Sequence, residues 1–426
     1  MKVYLDNAAT TPMAKEVIEV MTDVMTNNFG NPSSIHAFGR DSKVIIENAR
    51  RSIGKLINAE PKEIIFTSGG TEADNMAVHC AVKDLGVTRI ITSPIEHHAI
   101  EHTIQKIGNT TNCKIEMVKL DDKANVDIAD LEMLLKKSTE KTLVSLMHAN
   151  NEVGTLLPIH KVSELCQQNK AYFLSDTVQT MAHFPFDLKD LKIDFITCSA
   201  HKFHGPKGIG FLYVNKNLKI SSMIEGGTQE RGLRAGTENL AGIAGVEKAL
   251  EMANSDMDSH IKDVRSLKNY MKSELTKAIP NIHFNGETDD NKSLYTVLSV
   301  MFPKFDKQEM LLFMLDLEGV AISGGSACTA GANTGSHVLR GICADTSRST
   351  VRFSFSRYTT VLLLSCSSSN WTNEEQTQFV QACREEGGSK DYCECFMENV
   401  MDKYHIAEDA NNMDFEIKIE LSKNCE

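Results

Sequence analysis

The stretch EIIFTSGGTEADN (residues 63–75) joins a short apolar strand to a glycine turn and the start of a helix. The same change from a β-branched run to a longer amphipathic segment recurs from about Glu16 to Val246. The further runs are RIITS (89–93), LVSLMH (143–148), AYFLSD (171–176), DFITCS (194–199) and GIGFLYV (208–214). Strands that alternate with helix-length segments predict a mostly parallel sheet with helices on both faces. Ligands of such sheets bind beyond the carboxyl ends of the strands, so the polar residues after each run are the candidates for chemistry.

The chain is predicted to contain four parts. Residues 13–250 form the large domain, and residues 1–12 are an N-terminal segment that joins a smaller domain. That smaller α+β domain covers residues 251–360 and carries a loop of small residues. Residues 361–426 form an acidic, cysteine-rich tail with 14 acidic and 5 basic residues, in which capping signals and glycines predict a helical hairpin.

Composition excludes several classes of protein. The chain has 426 residues, of which 41% are hydrophobic and 24% are charged, as in ordinary globular proteins. Its net charge of −12 argues against a nucleic-acid binder that uses a basic face. No apolar run reaches the roughly 20 residues that span a bilayer, and the start lacks the apolar core of a signal peptide, so we expect a cytoplasmic protein. Of the 11 cysteines, six are dispersed through the body and five lie in the last 66 positions, and the dispersed set argues against a disulfide framework in the body.

The segment SAHKFHGPKGIGFLYV (199–214) places Lys202 between a strand end and a glycine-rich turn. A desolvated lysine amine can form a Schiff base with an aldehyde cofactor. Ser199 and His201 beside it offer a hydroxyl and an imidazole that can hold a phosphate. Taken alone, Lys202 can equally be a surface lysine.

Asp176 ends the strand AYFLSD, and Gln179 follows three residues later. A carboxylate at a strand end can pair with a protonated pyridine nitrogen, which is what pyridoxal 5′-phosphate (PLP) needs in order to withdraw electrons. The alternative is an aspartate that caps the start of a helix.

In FTSGGTEADN (66–75), the backbone N–H groups of Gly70 and Thr71, the Thr71 hydroxyl and the helix dipole can hold a phosphate. The segment is neither a P-loop nor a GxGxxG motif, which makes nucleotide binding less favoured. A plain strand-to-helix turn with a capping threonine is the other interpretation.

The segment IEHHAIEH (95–102) contains three histidines, which raises the alternative of zinc. It lacks the HExxH arrangement and a cysteine cluster to complete a site, so no metal is predicted. The imidazole of His97 stacked on a pyridine ring is the more economical interpretation.

The run SGGSACTAGANTGSH (323–337) sets Cys328 among small residues that cannot pack a core. A thiol on such a loop can travel between a cofactor and a partner, so Cys328 is the predicted nucleophile. The alternative, a buried structural cysteine, needs apolar surroundings that this run does not supply.

Together these segments resemble the cysteine desulfurases of the NifS/IscS type, which are class V, fold-type I PLP-dependent enzymes. The resemblance covers about the first 360 residues. Beyond the segments quoted above, it runs through YLDNAATTP (4–12), FGNPSS (29–34), MHANNEVG (147–154), SDTVQ (175–179), GGTQERGLRAGTENL (226–240) and VRFSFSRYTT (351–360). The resemblance implies a seven-stranded, mostly parallel sheet flanked by helices, a smaller α+β domain, and a homodimer.

The resemblance also assigns roles to individual residues. Lys202 looks like the lysine that holds PLP, with His97 stacked on the ring and Asp176 on its nitrogen. The other cofactor contacts that it implies are Gly70, Thr71, Asn151, Gln179, Ser199 and His201, with Thr237 reaching the cofactor of the neighbouring subunit. Asn31 and Arg352 resemble the contacts of the substrate carboxylate.

The implied reaction converts L-cysteine to L-alanine and leaves a persulfide on Cys328. The 24 positions from Cys328 to Arg352 resemble the long-loop subgroup, which passes sulfur to an iron–sulfur scaffold protein or a tRNA-thiolation enzyme. After residue 360 the chain departs from the family, because VLLLSCSSSNW replaces the usual acidic helix. A selenocysteine lyase, a class V aminotransferase and an inactive PLP-binding fusion product are the alternatives. Metal binding by Cys383, Cys393 and Cys395 is a further, weaker alternative for the tail.

Overall fold

The structure is a computed structural model that describes residues 2–324 and 335–359, together with single positions between 377 and 400. Cys328 and residue 360 lie outside the described residues, as do positions 361–376 and 401–426 of the predicted tail. The chain divides into two compact units, Met1–Arg357 and Tyr358–Glu426.

The first unit alternates strands and helices along the chain. Its strands are β1 (Val3–Tyr4), β2 (Ile64–Thr67), β3 (Arg89–Thr92), β4 (Lys114–Met117), β5 (Thr142–Ser145), β6 (Tyr172–Asp176), β7 (Phe195–Ser199), β8 (Gly210–Val214), β9 (His283–Asn285), β10 (Val297–Met301), β11 (Val320–Ala321) and β12 (Thr350–Ser354). Its helices are α1 (Lys15–Asn27), α2 (Ala37–Leu56), α3 (Gly70–Lys83), α4 (His98–Thr110), α5 (Ile128–Lys136), α6 (Ile159–Gln168), α7 (Leu240–Ser255), α8 (Met257–Ala278), α9 (Leu311–Leu317) and α10 (His337–Gly341).

Seven strands form one sheet in the order β2-β8-β7-β6-β5-β3-β4. All neighbours in it are parallel except β8, which runs antiparallel to both β2 and β7. The six strands predicted from the sequence are all present. The seventh, β4, carries the exposed or half-buried residues KIEM at the sheet edge, so it lacks the apolar run that reveals the others.

Successive residues of each central strand point to opposite faces of the sheet, and both faces are buried. Ile65, Ile90 and Leu143 pack on one side with α3 and α4. Their chain neighbours Phe66, Ile91 and Val144 pack on the other side, in the core that includes residues of α2 and α7. Burial on both faces explains why these strands read as continuous apolar runs.

Two smaller sheets lie near the chain ends of the first unit. Strands β12, β10 and β9 form an antiparallel sheet in that order. Strand β1 pairs in parallel with β11, and the N–H of Ser354 donates to the carbonyl of Leu5 at 2.7 Å. The N-terminal segment is therefore hydrogen-bonded to strands of the region predicted as the smaller domain.

The second unit is described only at single positions. Cys383 and Arg384 are helical, Ser389 is not, and helix is present again at Lys390 and Cys393. A disulfide joins Cys383 to Cys393. These two sulfurs are therefore not thiolate ligands, which removes the metal alternative in the form suggested by the sequence. The hairpin over residues 361–426 stays a prediction.

Candidate active site

A cavity of about 280 Å³ lies where the carboxyl ends of β6 and β7 meet the start of α3 and the N-terminal segment. This is the position at which open α/β sheets bind their ligands. The cavity brings together ten of the predicted site residues: Gly70, Thr71, His97, Asn151, Asp176, Gln179, Ser199, His201, Lys202 and Arg352.

Lys202 ends a single helical turn, Ala200–Lys202, that directly follows β7. Its Nζ donates to the carbonyl oxygens of Ala8 and Ala9, at 2.7 and 2.8 Å. Gln179 Nε2 also donates to the carbonyl of Ala8, at 3.1 Å. The N-terminal segment therefore fixes the amine inside the cavity, which a surface lysine would not show.

Asp176 ends β6 and is buried, with 7% of its surface exposed. Its Oδ1 accepts the N–H of Val178 at 2.8 Å and the hydroxyl of Thr197 at 3.5 Å. The carboxylate therefore satisfies a backbone N–H at the following turn and also lines the cavity, and its pairing with a pyridine nitrogen stays a prediction.

Asp74 is a site residue that the sequence reasoning missed. It is 1% exposed in α3, and one polar atom each from Asp74, His97 and Asp176 lie within 4.8 Å of one another. Burial, reinforced by the charge of Asp176, raises the pKa of Asp74 well above its usual value. Gly70, Thr71 and Asp74 stand at positions i, i+1 and i+4 of α3, so helical periodicity was the signal that could have identified it.

His97 is the N-cap of α4, and its Nδ1 accepts the N–H of Ala99 at 3.2 Å. The proton of the neutral ring therefore lies on Nε2. Burial lowers the pKa of His97, while the charge of Asp176 opposes this shift. The residue before it, Glu96, accepts from Ser93 Oγ at 2.6 Å and from the N–H of Met147, which fixes the loop that carries His97.

The other end of the cavity is built for an anion. Helix α3 begins at Gly70, where its unpaired N–H groups and dipole favour negative charge. Gly69 has φ of +147°, and a Cβ at Gly70 would lie 2.6 Å from Val178 Cγ2, so the turn requires both glycines. Burial lowers the pKa of His201 to about 4, and its Nδ1 lies 3.1 Å from Thr10 Oγ1.

Arg352 crosses from β12 to the cavity and is 1% exposed. Its Nη1 donates to the carbonyl of Asn151 at 2.9 Å, and its Nη2 donates to Asp6 Oδ1 at 2.8 Å. Its Nε is buried without a hydrogen-bond partner among the residues that the structure describes. At least the Nε–H of the guanidinium therefore remains without a partner at this wall.

Two predicted site residues lie elsewhere in this chain. Asn31 is exposed, and its Oδ1 accepts the N–H of Ser33 at 2.9 Å. Thr237 lines a separate cavity of about 130 Å³ with Ser68 and Gly208. The structure contains one chain, so the contribution of Thr237 to a neighbouring subunit stays a prediction.

Cys328 lies outside the described residues, but the described ends of its loop adjoin the site. The carbonyl of Ser323 accepts the N–H of Arg352 at 2.8 Å, and His337 lines the cavity. The buried cysteines are unsuited to nucleophilic chemistry, because burial raises the pKa of Cys80 to about 12 and raises the pKa values of Cys166 and Cys198.

The residues present fit PLP as a cofactor. An amine that can bind an aldehyde, a buried carboxyl pair for a ring nitrogen, and a helix start shaped by Gly70 for a phosphate lie in one cavity. A nucleotide would not need the lysine in this position.

The chain matches the family model for class V aminotransferases over residues 3–362. It is 43% identical to the cysteine desulfurase IscS of Dictyoglomus turgidum over 366 residues, which are 84% of this chain and 91% of that protein. It is also 43% identical to the putative cysteine desulfurase IscS 1 of Bacillus subtilis, over 83% of this chain and 93% of that protein.

Solved structures give the same result. A NifS-like protein superposes with a TM-score of 0.77 at 33% identity, covering 85% of this chain and 97% of that one. SspA in complex with cysteine superposes with a TM-score of 0.71 at 30% identity, covering 83% and 99%. The chain belongs to the class V aminotransferase family, whose enzymes use PLP, and the predicted fold and resemblance are confirmed.

Among the described residues, no helix is both long and apolar enough to span a membrane.

Proposed function

We propose that this chain is a PLP-dependent cysteine desulfurase, which converts L-cysteine to L-alanine and leaves a persulfide on Cys328. The proposal rests on one observation above all: Lys202, Asp176 and the start of α3 converge on a single cavity. It is supported by the relatives of similar length that are named cysteine desulfurase.

Each wall of the cavity would hold one part of the cofactor. Lys202 would bind its aldehyde carbon, Asp176 its ring nitrogen, and Gly70, Thr71, Ser199 and His201 its phosphate. Asn151 and Gln179 would contact the ring and its phenolic oxygen. When bound, PLP supplies an electron sink for the Cα of an attached amino acid.

The residues of this chain would then perform the proton and sulfur steps. Lys202 Nζ, held by the carbonyls of Ala8 and Ala9, takes the Cα proton of the substrate. His97 would lie against the face of the ring, and burial lowers its pKa, which favours the neutral imidazole. Arg352 Nε donates to the substrate carboxylate, with Asn31 as the second predicted contact.

Sulfur transfer requires a thiolate at Cys328. The thiolate attacks the sulfur of the substrate, a sulfur–sulfur bond forms, and the carbon–sulfur bond breaks. The electron pair of the broken bond passes to the substrate carbon, which takes a proton and becomes the methyl group of alanine. The persulfide on Cys328 then passes its sulfur to an acceptor, for which an iron–sulfur scaffold protein or a tRNA-thiolation enzyme is the proposed class.

The test is incubation of the purified full chain with PLP, L-cysteine and a reductant, followed by quantification of alanine and sulfide. We expect the two products in equal amounts. Cys328→Ala should abolish sulfide release, whereas Cys343→Ser, at an exposed cysteine, should leave it unchanged. Sulfide release by Cys328→Ala at the wild-type rate would overturn the proposal. A parallel assay with L-selenocysteine separates a desulfurase from a selenocysteine lyase.

We also propose that the enzyme is a homodimer in which Thr237 completes the cavity of the second copy. Exposed apolar side chains near α1 and α2 support such an interface: Phe29 is 76% exposed, Ile35 is 91% exposed and Phe38 is 56% exposed. A monomeric mass in light scattering of the PLP-loaded protein would contradict this part.

A further inference from the structure

Arg352 is held by two acceptors of the protein itself, and one of them, Asp6, has no role in the proposed reaction. Asp6 Oδ1 accepts from Arg352 Nη2 at 2.8 Å, and the carbonyl of Asn151 accepts from Nη1 at 2.9 Å. A guanidinium is planar, so acceptors on two of its nitrogens fix both its position and its orientation. Among the described residues that line the cavity, Arg352 is present and Asp6 is not. Asp6 can therefore act on a ligand through Arg352.

The backbone of Asp6 is itself fixed to the strand that carries Arg352. Asp6 forms a parallel bridge with Ser354 of β12. Asn7 Nδ2 donates to the carbonyl of Ser354 at 2.8 Å, and the N–H of Ala8 donates to Ser354 Oγ at 2.8 Å. The carboxylate and the guanidinium are therefore presented by two segments that are hydrogen-bonded to each other on both sides of Asp6.

The same N-terminal segment also holds the amine of Lys202, through the carbonyls of Ala8 and Ala9. The carbonyl of Asp6 accepts the N–H of Ala9 at 3.0 Å, which closes a turn between the two contacts. One short segment therefore contacts both the proposed cofactor-binding amine and the proposed carboxylate-binding arginine. Because different residues of the segment make the two contacts, a change at the Asp6 side chain should alter the second contact alone.

We propose that Asp6 is a positioning residue that orients Arg352 for the carboxylate of the amino-acid substrate. This inference rests on the proposed function, in which Arg352 binds that carboxylate. A guanidinium that is already fixed loses little freedom when a ligand binds, which favours ligands that carry a carboxylate. The location of the Asp6 oxygen is the property that matters, because the negative charge of Asp6 by itself repels an anionic ligand.

Two variants separate the location of the oxygen from the charge. Asp6→Asn keeps an oxygen at the same reach and removes the charge, whereas Asp6→Glu keeps the charge and moves the oxygens by one methylene group. Isothermal titration calorimetry on the full chain loaded with PLP measures the binding of L-alanine, the proposed product, and of ethylamine, which is L-alanine without its carboxylate. Asp6→Glu should weaken L-alanine binding about ten-fold and leave ethylamine binding within about two-fold. Asp6→Asn should stay within about three-fold of the wild type for both, since its weaker hydrogen bond is offset by reduced repulsion.

The matched control is Asp122→Glu, the same substitution at an exposed aspartate outside the cavity, which should bind both ligands as the wild type does. L-Alanine binding by Asp6→Glu within about two-fold of the wild type would overturn the proposal. A ten-fold loss in Asp6→Asn would also overturn it, because the charge would then be what Arg352 needs. Equal weakening of ethylamine and L-alanine would overturn it as well, since the whole site would then be distorted.

Steady-state kinetics give a second measurement. Asp6→Glu should raise the KM for L-cysteine about ten-fold and leave kcat within about three-fold. Absence of sulfide release by the wild-type chain would contradict the proposed function alone, because the calorimetric comparison does not depend on sulfur chemistry. Circular dichroism checks that each variant is folded. If Asp6→Glu is not, Asp6→Ala, which removes the oxygen without adding bulk, takes its place with the same expected results.

Discussion

Strands β6 and β7 run side by side, with Asp194 at their amino end, just before β7, and Asp176 at their carboxyl end, as the last residue of β6. The two carboxylates differ in their surroundings. At the amino end, Asp194 binds Phe173 twice: its N–H donates to the Phe173 carbonyl at 3.0 Å, and its Oδ2 accepts the Phe173 N–H at 2.9 Å. At the carboxyl end, Asp176 faces a cavity that also contains Lys202 and Asp74.

The same residue type therefore serves two purposes in one pair of strands. Asp194 joins neighbouring strands, and all the contacts described for it here are with the chain's own backbone. The carboxyl end instead gathers groups whose polar atoms are incompletely paired, such as Asp74 Oδ1, which has no partner among the described residues. Incompletely paired buried groups cost stability and mark places where a ligand can supply the missing contacts. Variants at the two ends should therefore separate activity from stability.

The largest effect is expected at Lys202. Lys202→Ala removes the amine that would bind the cofactor and move the substrate proton, so kcat should fall about 10³–10⁴-fold. Visible absorbance from bound PLP should also be lost. The free energy of unfolding should change little, because the two carbonyls that accept from Nζ adjoin a cavity that can admit water. Alanine production and urea unfolding measure the two quantities.

The control for Lys202 is Lys189→Ala, at an exposed lysine outside the cavity. It should match the wild type in both measurements. Alanine production by Lys202→Ala within ten-fold of the wild type would contradict the prediction, because it would mean that the amine at the carboxyl end of the strands is not needed for catalysis.

A smaller loss of activity is expected at Asp176. Asp176→Asn keeps an oxygen to accept the Val178 N–H, so the local fold should persist. It removes the negative charge proposed to face the pyridine nitrogen, which should lower kcat about 10²-fold. Steady-state assays test this, with Asp190→Asn at an exposed position as the control. Equal activity in the two variants would mean that the charge of Asp176 is not used.

These two residues also show how far the sequence leads. Asp176 and Lys202 were predictable because Asp176 ends one apolar strand and Lys202 lies in the turn after another, and parallel strands bring their carboxyl ends together. Asp74 was not, because a single acidic residue within a helix resembles any solvated position until the sheet is known to cover it. Strand β4 was missed because an edge strand needs no continuous apolar run.

Long-range placement was the other limit. Neither the sequence spacing nor the composition indicates that His337 meets His98, since this contact depends on how α10 packs against α4. Asn31 shows the opposite case: its motif resembles the family, yet its side chain binds Ser33 in the described chain.

At the amino end, Asp194→Asn should alter stability and leave activity unchanged. Burial raises the pKa of Asp194 to about 6 from 3.8, so the folded state prefers the protonated form. The stability that this preference contributes is present below about pH 4 and is lost as the pH rises through about 6. The full shift corresponds to about 3 kcal/mol, and partial exposure reduces the expected effect to about 2 kcal/mol.

The measurement for Asp194 is urea unfolding of wild type and Asp194→Asn at pH 4.5 and pH 7.5. The wild type should lose about 1 kcal/mol relative to the variant between the two pH values, because part of the full effect is already lost between pH 3.8 and pH 4.5. Asparagine retains an oxygen for the Phe173 N–H, so the hydrogen bond itself is not what the comparison measures. A difference that does not change with pH would show that Asp194 titrates as an ordinary surface aspartate. A fall in alanine production in Asp194→Asn would mean that Asp194, like the residues at the carboxyl end, is needed for activity.

The smallest effect is expected at Asp74, and it tests the carboxyl end most closely. Burial and the charge of Asp176 raise the pKa of Asp74 well above its usual value, which favours the neutral form of this carboxyl. Asp74→Asn replaces a neutral acid with a neutral amide of similar shape, so kcat/KM should stay within about three-fold of the wild type. Asp176→Asn, which removes the charge that the pair retains, serves as the contrasting variant. A loss at Asp74→Asn as large as that at Asp176→Asn would mean that the negative charge belongs to both carboxyl groups.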